Sequence, residues 1–210
     1  MSKKIGPLWR HSRALSFSLR EDKKEFSKGK KRTTLPGIHG MKRKRETVYG
    51  LQNKEKRKFC LLYGYRDKQL YNLIKKVKIK IKKNEDITNI ILLKAESRID
   101  NLLFRSGIMI TRKLSRLWVS QGHFLVNNKK VKSPSCQLKV GDVITFKKEN
   151  ISKNNLIIDA LKKNKLNDIP SYLEVDKDKL TVKYLGQDSL NLFKSEINTS
   201  LIIEWYNRKM

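Results

Sequence analysis

Arg98-Ile99-Asp100-Asn101-Leu102-Leu103-Phe104-Arg105-Ser106-Gly107, followed after three residues by Thr111-Arg112-Lys113-Leu114-Ser115-Arg116-Leu117-Trp118-Val119-Ser120-Gln121-Gly122-His123-Phe124-Leu125-Val126-Asn127-Asn128-Lys129-Lys130, is the stretch that decides the fold. Thr111 supplies a hydroxyl to cap a helix over Arg112 to Ser120, and Gly122 stops it. Leu114, Leu117 and Trp118 recur at i, i+3, i+4 and are expected to face inward, leaving Arg112, Lys113 and Arg116 outside. Phe124 to Val126 reads as a strand and Asn127-Asn128 as a type I′ turn, because both positions of that turn need the left-handed backbone that Asn tolerates. Lys129 to Lys132 is the return strand, broken by Pro134. Val140-Gly141-Asp142 turns the chain into a further strand over Val143 to Lys147. Residues 96–148 are thus expected to be two helices followed by a small antiparallel sheet.

Outward from this centre the pattern loosens. Thr88 is expected to cap one helix running to Arg105, with Ile91, Leu92, Ala95, Ile99, Leu102 and Leu103 as its stripe. Thr47 to Tyr63 reads as a helix closed by Gly64, and a second runs from Asp67 through Val77. Its tail, Lys75 to Lys83, alternates Lys with Val or Ile and also suits a strand. Residues 1–45 have no sustained period and read as an extended basic arm that orders on its partner. Beyond 148, Ile151 to Lys163 reads as a linking helix, and Tyr172 to Val175, Leu180 to Tyr184 and Leu201 to Tyr206 as strands. The expected fold class is α+β in four parts: arm 1–45, helical domain 46–95, two-helix and sheet domain 96–148, and a C-terminal segment 149–210 packing back on the helical domain.

Charge defines the class of partner. The chain has 210 residues, 49 Lys+Arg against 20 Asp+Glu, and a net charge of +29. Such a field opposes compaction and serves no neutral substrate; a polyanion accounts for it, and nucleic acid is the commonest. The excess is +12 over 1–45, +8 over 46–94, +8 over 95–148 and only +1 beyond. The polyanion face therefore belongs to the first 148 residues. With 36 Lys to 13 Arg, 19 Ile, 15 Asn and 3 Ala, residue usage points to an AT-rich genome. Cys60 and Cys136 stand far apart without a CxxC pair, so neither a disulfide framework nor a metal site is expected, and no cofactor. No apolar run approaches the roughly 18 residues of a membrane span.

A helix with Arg112, Lys113 and Arg116 outside, followed by a hairpin carrying Lys129, Lys130 and Lys132, is a device for gripping phosphate backbone. The Arg forks suit bidentate phosphate contact, and the arrangement reads RNA shape rather than base sequence. Arg98-Ile99-Asp100 also looks like the catalytic Arg-Leu-Asp of pseudouridine synthases. Its place inside a helix favours an internal ion pair of Asp100 with a nearby Arg, and too few residues follow 148 to build a catalytic domain.

Arg98-Ile99-Asp100-Asn101 … Phe104-Arg105 … Gly107, Thr111-Arg112 … Arg116-Leu117-Trp118-Val119-Ser120-Gln121-Gly122-His123, Val126-Asn127, Pro134-Ser135 and Gly141-Asp142 closely resemble the S-four RNA-binding domain. Gly6-Pro7, Pro36-Gly37-Ile38-His39-Gly40, Tyr49-Gly50, Tyr63-Gly64, Ser171 to Asp176 and Leu201 to Tyr206 extend the resemblance to the S-four family of small-subunit ribosomal proteins. The arm lacks the Cys cluster of some members, Asn128 replaces the usual turn Gly, and Gln121 stands where His is frequent. The resemblance implies a structural rRNA-binding constituent of the small subunit, acting early in assembly and lining the channel by which messenger RNA enters, and no enzyme. It implies rRNA contacts from Arg10, Arg13, His39, Lys54, Arg57, Arg98, Arg105, Arg112, Lys113, Arg116, Gln121, His123, Asn127, Lys129, Lys130, Lys132 and Ser135. Lys42, Arg43, Lys44 and Arg45 would face messenger RNA. The implied partners are small-subunit rRNA, messenger RNA and neighbouring proteins including S-five, with no membrane and no homo-oligomer.

Because the resemblance begins at Gly6-Pro7, no cleavable presequence is expected. The segments at 170–176 and 201–206 look like the alphaproteobacterial branch of the family. The AT-rich usage allows a mitochondrion, a plastid or a low-GC bacterium, and with these segments it implies an organelle-encoded mitochondrial protein; Asn101 to Arg105 also suits plastid relatives, the alternative compartment.

Overall fold

The computed structural model describes residues 7–19, 21, 26, 34–41, 45–80, 86–147, 169–176, 180–186 and 197–208. These form seven helices, α1 Leu8–Leu15, α2 Val48–Leu62, α3 Asp67–Lys80, α4 Ile87–Glu96, α5 Ile99–Arg105, α6 Arg112–Gln121 and α7 Thr199–Asn207. The strands are β1 Phe124–Val126, β2 Lys129–Lys130, β3 Val143–Phe146, β4 Leu173–Asp176 and β5 Thr181–Tyr184. The fold is α+β. It divides into two units, one of residues 1–88 and 192–210, the other of 89–191.

The first unit is helical. Thr47 caps α2 by accepting from the Gly50 amide at 3.1 Å. Phe59, Leu70, Ile74 and Val77 of α2 and α3 are fully buried, with Ile202 and Tyr206 of α7. The α7 segment corrects an expectation. Leu201 to Tyr206 is helix, not strand, capped by the Asn198 side chain, which accepts from the Leu201 amide at 3.4 Å. Its β-branched content favours a strand locally, but Ile202, Trp205 and Tyr206 at i, i+3, i+4 bury a helical stripe, and tertiary burial overrides propensity. Gln52 Nε2 donates to Glu204 Oε2 at 2.9 Å, Lys56 Nζ lies 3.8 Å over the Trp205 ring, and the Tyr206 hydroxyl donates to the Asp67 carbonyl at 3.3 Å.

The arm also departs from its expected form. Leu8–Leu15 is helical, with Ser12 and Leu15 buried, and ends where Ser16 enters the left-handed region at φ 52°. The Ser12 hydroxyl accepts from the Leu19 amide at 3.3 Å, which tucks the following turn against the helix. A buried Ser in the stripe hides this helix from a hydrophobic count. The ambiguous tail of α3 is helical through Lys80.

In the second unit, the single helix expected from Thr88 to Arg105 is two. The chain breaks at Ser97-Arg98, where Arg98 is extended at φ −74°, ψ 139°. There the backbone pairs with the segment after Pro134: Ile99 N donates to Cys136 O at 3.0 Å and Leu138 N to Ser97 O at 2.9 Å. These long-range bonds replace helical ones that the local pattern would favour. The sheet is antiparallel in the order β2-β1-β3-β5-β4. Asn127 and Asn128 both have positive φ, 47° and 62°, which makes the two-residue turn between Val126 and Lys129 type I′. Of the C-terminal segment, β4 and β5 extend the sheet of this unit through the pairing of β5 with β3, and α7 packs on α2 in the first unit. The linking helix expected at Ile151 to Lys163 lies outside the described residues.

Candidate nucleic-acid interface

Thr111 caps α6 through its hydroxyl, which accepts from Leu114 N at 3.2 Å, and Gly122 closes it at φ 80°. The buried face of α6 is Ser115, Trp118 and Val119, and Leu117 is 51% exposed. That corrects the inward assignment of Leu117. At ~100° per residue, Leu117 lies about half a turn from the Ser115–Val119 line. Lys113 is exposed beside it, whereas Arg112 and Arg116 sit at the margin, half buried.

Those marginal arginines are tied to the fold. Arg112 Nε donates to Asn101 Oδ1 at 2.7 Å, and its guanidinium lies 4.2 Å over the Phe104 ring. Arg116 Nη1 is 3.7 Å from Asp100 Oδ2. Arg98, one of the expected ligands, is 3% exposed and forks onto Asp100 through Nε at 3.0 Å and Nη2 at 2.8 Å. Burial demands this pairing, since an unpaired interior charge costs several kcal/mol. Arg105 Nη2 is 3.5 Å from Glu96, whose side chain is fully buried and also accepts from the Asn101 amide.

Asn127 is likewise occupied. Its Nδ2 donates to Asp142 Oδ1 at 2.8 Å and its Oδ1 accepts from Val143 N at 3.0 Å, so the side chain braces the hairpin against the next strand. Asp142 Oδ2 accepts from Lys139 N at 2.7 Å. Glu96, Asp100 and Asp142 are the three acids between residues 95 and 148, and each carboxylate is engaged inside the fold. Sequence reasoning paired only Asp100. Ranking the acids of a basic segment as internal braces would have found the others.

Of the expected ligands in this unit, Lys113, Gln121, Asn127, Lys129, Lys130, Lys132 and Ser135 are exposed. Gln121 Oε1 is 3.0 Å from His123 Nε2, and the His123 ring packs 4.9 Å from Trp118 and 6.3 Å from Phe146. His123 is therefore half in the aromatic core. Lys130 crosses the helix stop so closely that a Cβ on Gly122 would fall 2.5 Å from Lys130 Cε. The hairpin lysine and the end of α6 are thus brought together.

In the helical unit Arg10, His39, Arg45 and Arg57 are exposed. Arg13 Nη1 donates to Thr34 O at 3.4 Å, and Lys54 Nζ is 2.8 Å from Glu46. Lys42, Arg43 and Lys44 lie outside the described residues. Among the described residues, no helix is long and apolar enough to cross a membrane, and no three His, Cys, Asp or Glu gather as metal ligands.

A paired-helix and hairpin unit with exposed lysines defines the class: an S4-type RNA-binding module. The model of the S4 domain matches residues 97–144, and that of the Ribosomal protein S4/S9 N-terminal domain matches residues 3–95. Small ribosomal subunit protein uS4 of Mesomycoplasma hyopneumoniae (strain 7448) is 41% identical over 212 residues, covering 99% of this chain and 100% of that protein. The uS4 protein of Mycoplasma capricolum is 41% identical, over 99% of this chain and 98% of that one, and that of Ureaplasma parvum serovar 3 (strain ATCC 27815) 38%, over 100% of both. The chain belongs to the uS4 family of small ribosomal subunit proteins, structural RNA-binding constituents rather than enzymes.

Proposed function

We propose that this chain is a structural constituent of the small ribosomal subunit that holds small-subunit rRNA by neutralising phosphates and matching a folded RNA shape. One observation carries the reading. In the S4 unit Lys113, Lys129, Lys130 and Lys132 are exposed, while all three carboxylates of residues 95–148 are engaged internally. Changing these four lysines to Gln should lower the slope of log affinity against log salt for an rRNA fragment by about three units, at just under one per phosphate contact. An unchanged slope would contradict it.

Within this reading the RNA-facing set is narrower than the full set the resemblance implied. Exposed lysines make the contacts, Arg112 and Arg116 reach RNA from a fixed position at the margin, and Arg98 and Asn127 brace the fold. Arg10, His39, Arg57 and the hairpin extend the footprint. Early binding during assembly follows from the large share of charge on the first 148 residues. Lys42 to Arg45 are assigned to messenger RNA where it enters, with S-five a neighbour. Changing all four to Ala should spare assembly and slow passage through structured messages; failed assembly would make them rRNA ligands instead.

The relatives above are bacterial, so they lend no support to the expected mitochondrial or plastid compartment. A low-GC bacterium accounts equally for the Lys, Ile and Asn usage, and is the reading adopted. Finding the gene on an organellar chromosome would reverse it.

A further inference from the structure

The buried amide of Asn101 sits between an acid and an arginine in a way that fixes both. Asn101 is 1% exposed in the first turn of α5. Its Nδ2 donates to the Glu96 carbonyl at 3.2 Å and to the Glu96 carboxylate. Two acceptors on one side settle which way the amide points. The flipped amide would set oxygen against oxygen there and turn its NH2 toward a guanidinium. Oδ1 therefore faces α6, where it accepts from Arg112 Nε at 2.7 Å. With Phe104 under its plane at 4.2 Å, the Arg112 guanidinium is held by one edge and one face. An arginine on a surface helix otherwise samples many rotamers, all but a few of which are lost on docking.

We infer that Asn101 is a positioning residue for RNA binding: oriented by Glu96, it sets the Arg112 guanidinium in its docking orientation before RNA arrives. This rests on the reading that Arg112 belongs to the RNA-facing margin. Glu96 is the anchor, and its charge is balanced by Arg105 at 3.5 Å.

A merely structural Asn101 would also join α4 to α5, so the test must separate the two roles. In the full chain, affinity for a small-subunit rRNA fragment and thermal stability are measured for Asn101→Ala, Arg112→Ala and the double variant. Asn101→Ala should weaken binding about five- to tenfold when Arg112 is present, within the cost of immobilising one rotamer-rich side chain, and less than twofold when it is absent. Stability should fall in both backgrounds, because the bonds to Glu96 are broken in each. If Asn101→Ala does not fold, Asn101→Ser replaces it in the cycle. Equal weakening in the two backgrounds, or full affinity in a folded Asn101 variant, overturns the inference alone. Full affinity of Arg112→Ala removes the premise as well and takes Arg112 off the RNA-facing margin.

Discussion

Replacing Asp100 by Asn removes one charge without changing shape, and its consequence follows from the geometry. Asp100 and Arg98 are each 3% exposed, and the carboxylate takes two bonds from Arg98, at 3.0 and 2.8 Å, besides Arg116 at 3.7 Å. Breaking a buried pair from one side strands the other charge and costs about 3–5 kcal/mol. The low end, about 3 kcal/mol, applies because the amide oxygen still accepts one bond. For a chain of this size that lowers the melting temperature by roughly 6–12 °C, at ~2–4 °C per kcal/mol. Arg116→Gln, which loses a longer and partly solvated contact, should cost at most about 1 kcal/mol. Replacing both partners, Arg98→Met with Asp100→Leu, should recover most of the loss, since no charge is left stranded. Thermal unfolding followed by circular dichroism without RNA reads all three variants. If Asp100→Asn melts within about 2 °C of the parent, the buried pair is not braced as described.

Other predictions probe single features. Trp118→Ala should cost about 3–5 kcal/mol, and Leu117→Ser less than about 0.5, because only the first is buried; equal losses would restore Leu117 to the core. Gly122→Ala should destabilise by about 1–2 kcal/mol through its φ of 80° and displace the Lys130 stem, measured by urea unfolding; a neutral result would deny the close crossing. Burial holds the Tyr172, Tyr184 and Tyr206 hydroxyls above the usual tyrosine range, helped by Glu96 for the first two and by Cys60 and then Asp67 for Tyr206. The unfolded chain then loses these protons first, near pH ~10, so this contribution to stability is complete below that and falls as pH rises beyond it. Urea midpoints that hold steady from about pH 9 to 11 would refute this.

How much of this was legible depended on whether the deciding contacts were local. Helix α6 and the hairpin were readable because their signals are contained within them: the Thr111 cap, the Gly122 stop and two asparagines at turn positions. The break between α4 and α5 was not, because it is imposed by Cys136 to Leu138. Leu201 to Tyr206 satisfies both a strand and a helix pattern locally, and burial of Ile202, Trp205 and Tyr206 decides between them. In the site, residue type identified the basic groups but not their occupancy. Arg98 reads as a ligand in sequence and in space is buried against Asp100, and Glu96 and Asn101 were not singled out because their engagement with Arg105 and Arg112 is visible only in three dimensions.

The most direct test is where the protein resides. Quantified across a sucrose gradient of lysate from the cells that make it, the chain should sediment with the small ribosomal subunit at about one copy per small-subunit rRNA and move to the top after ribonuclease treatment. A chain found mainly free of ribosomes, or equally on the large subunit, would contradict the account.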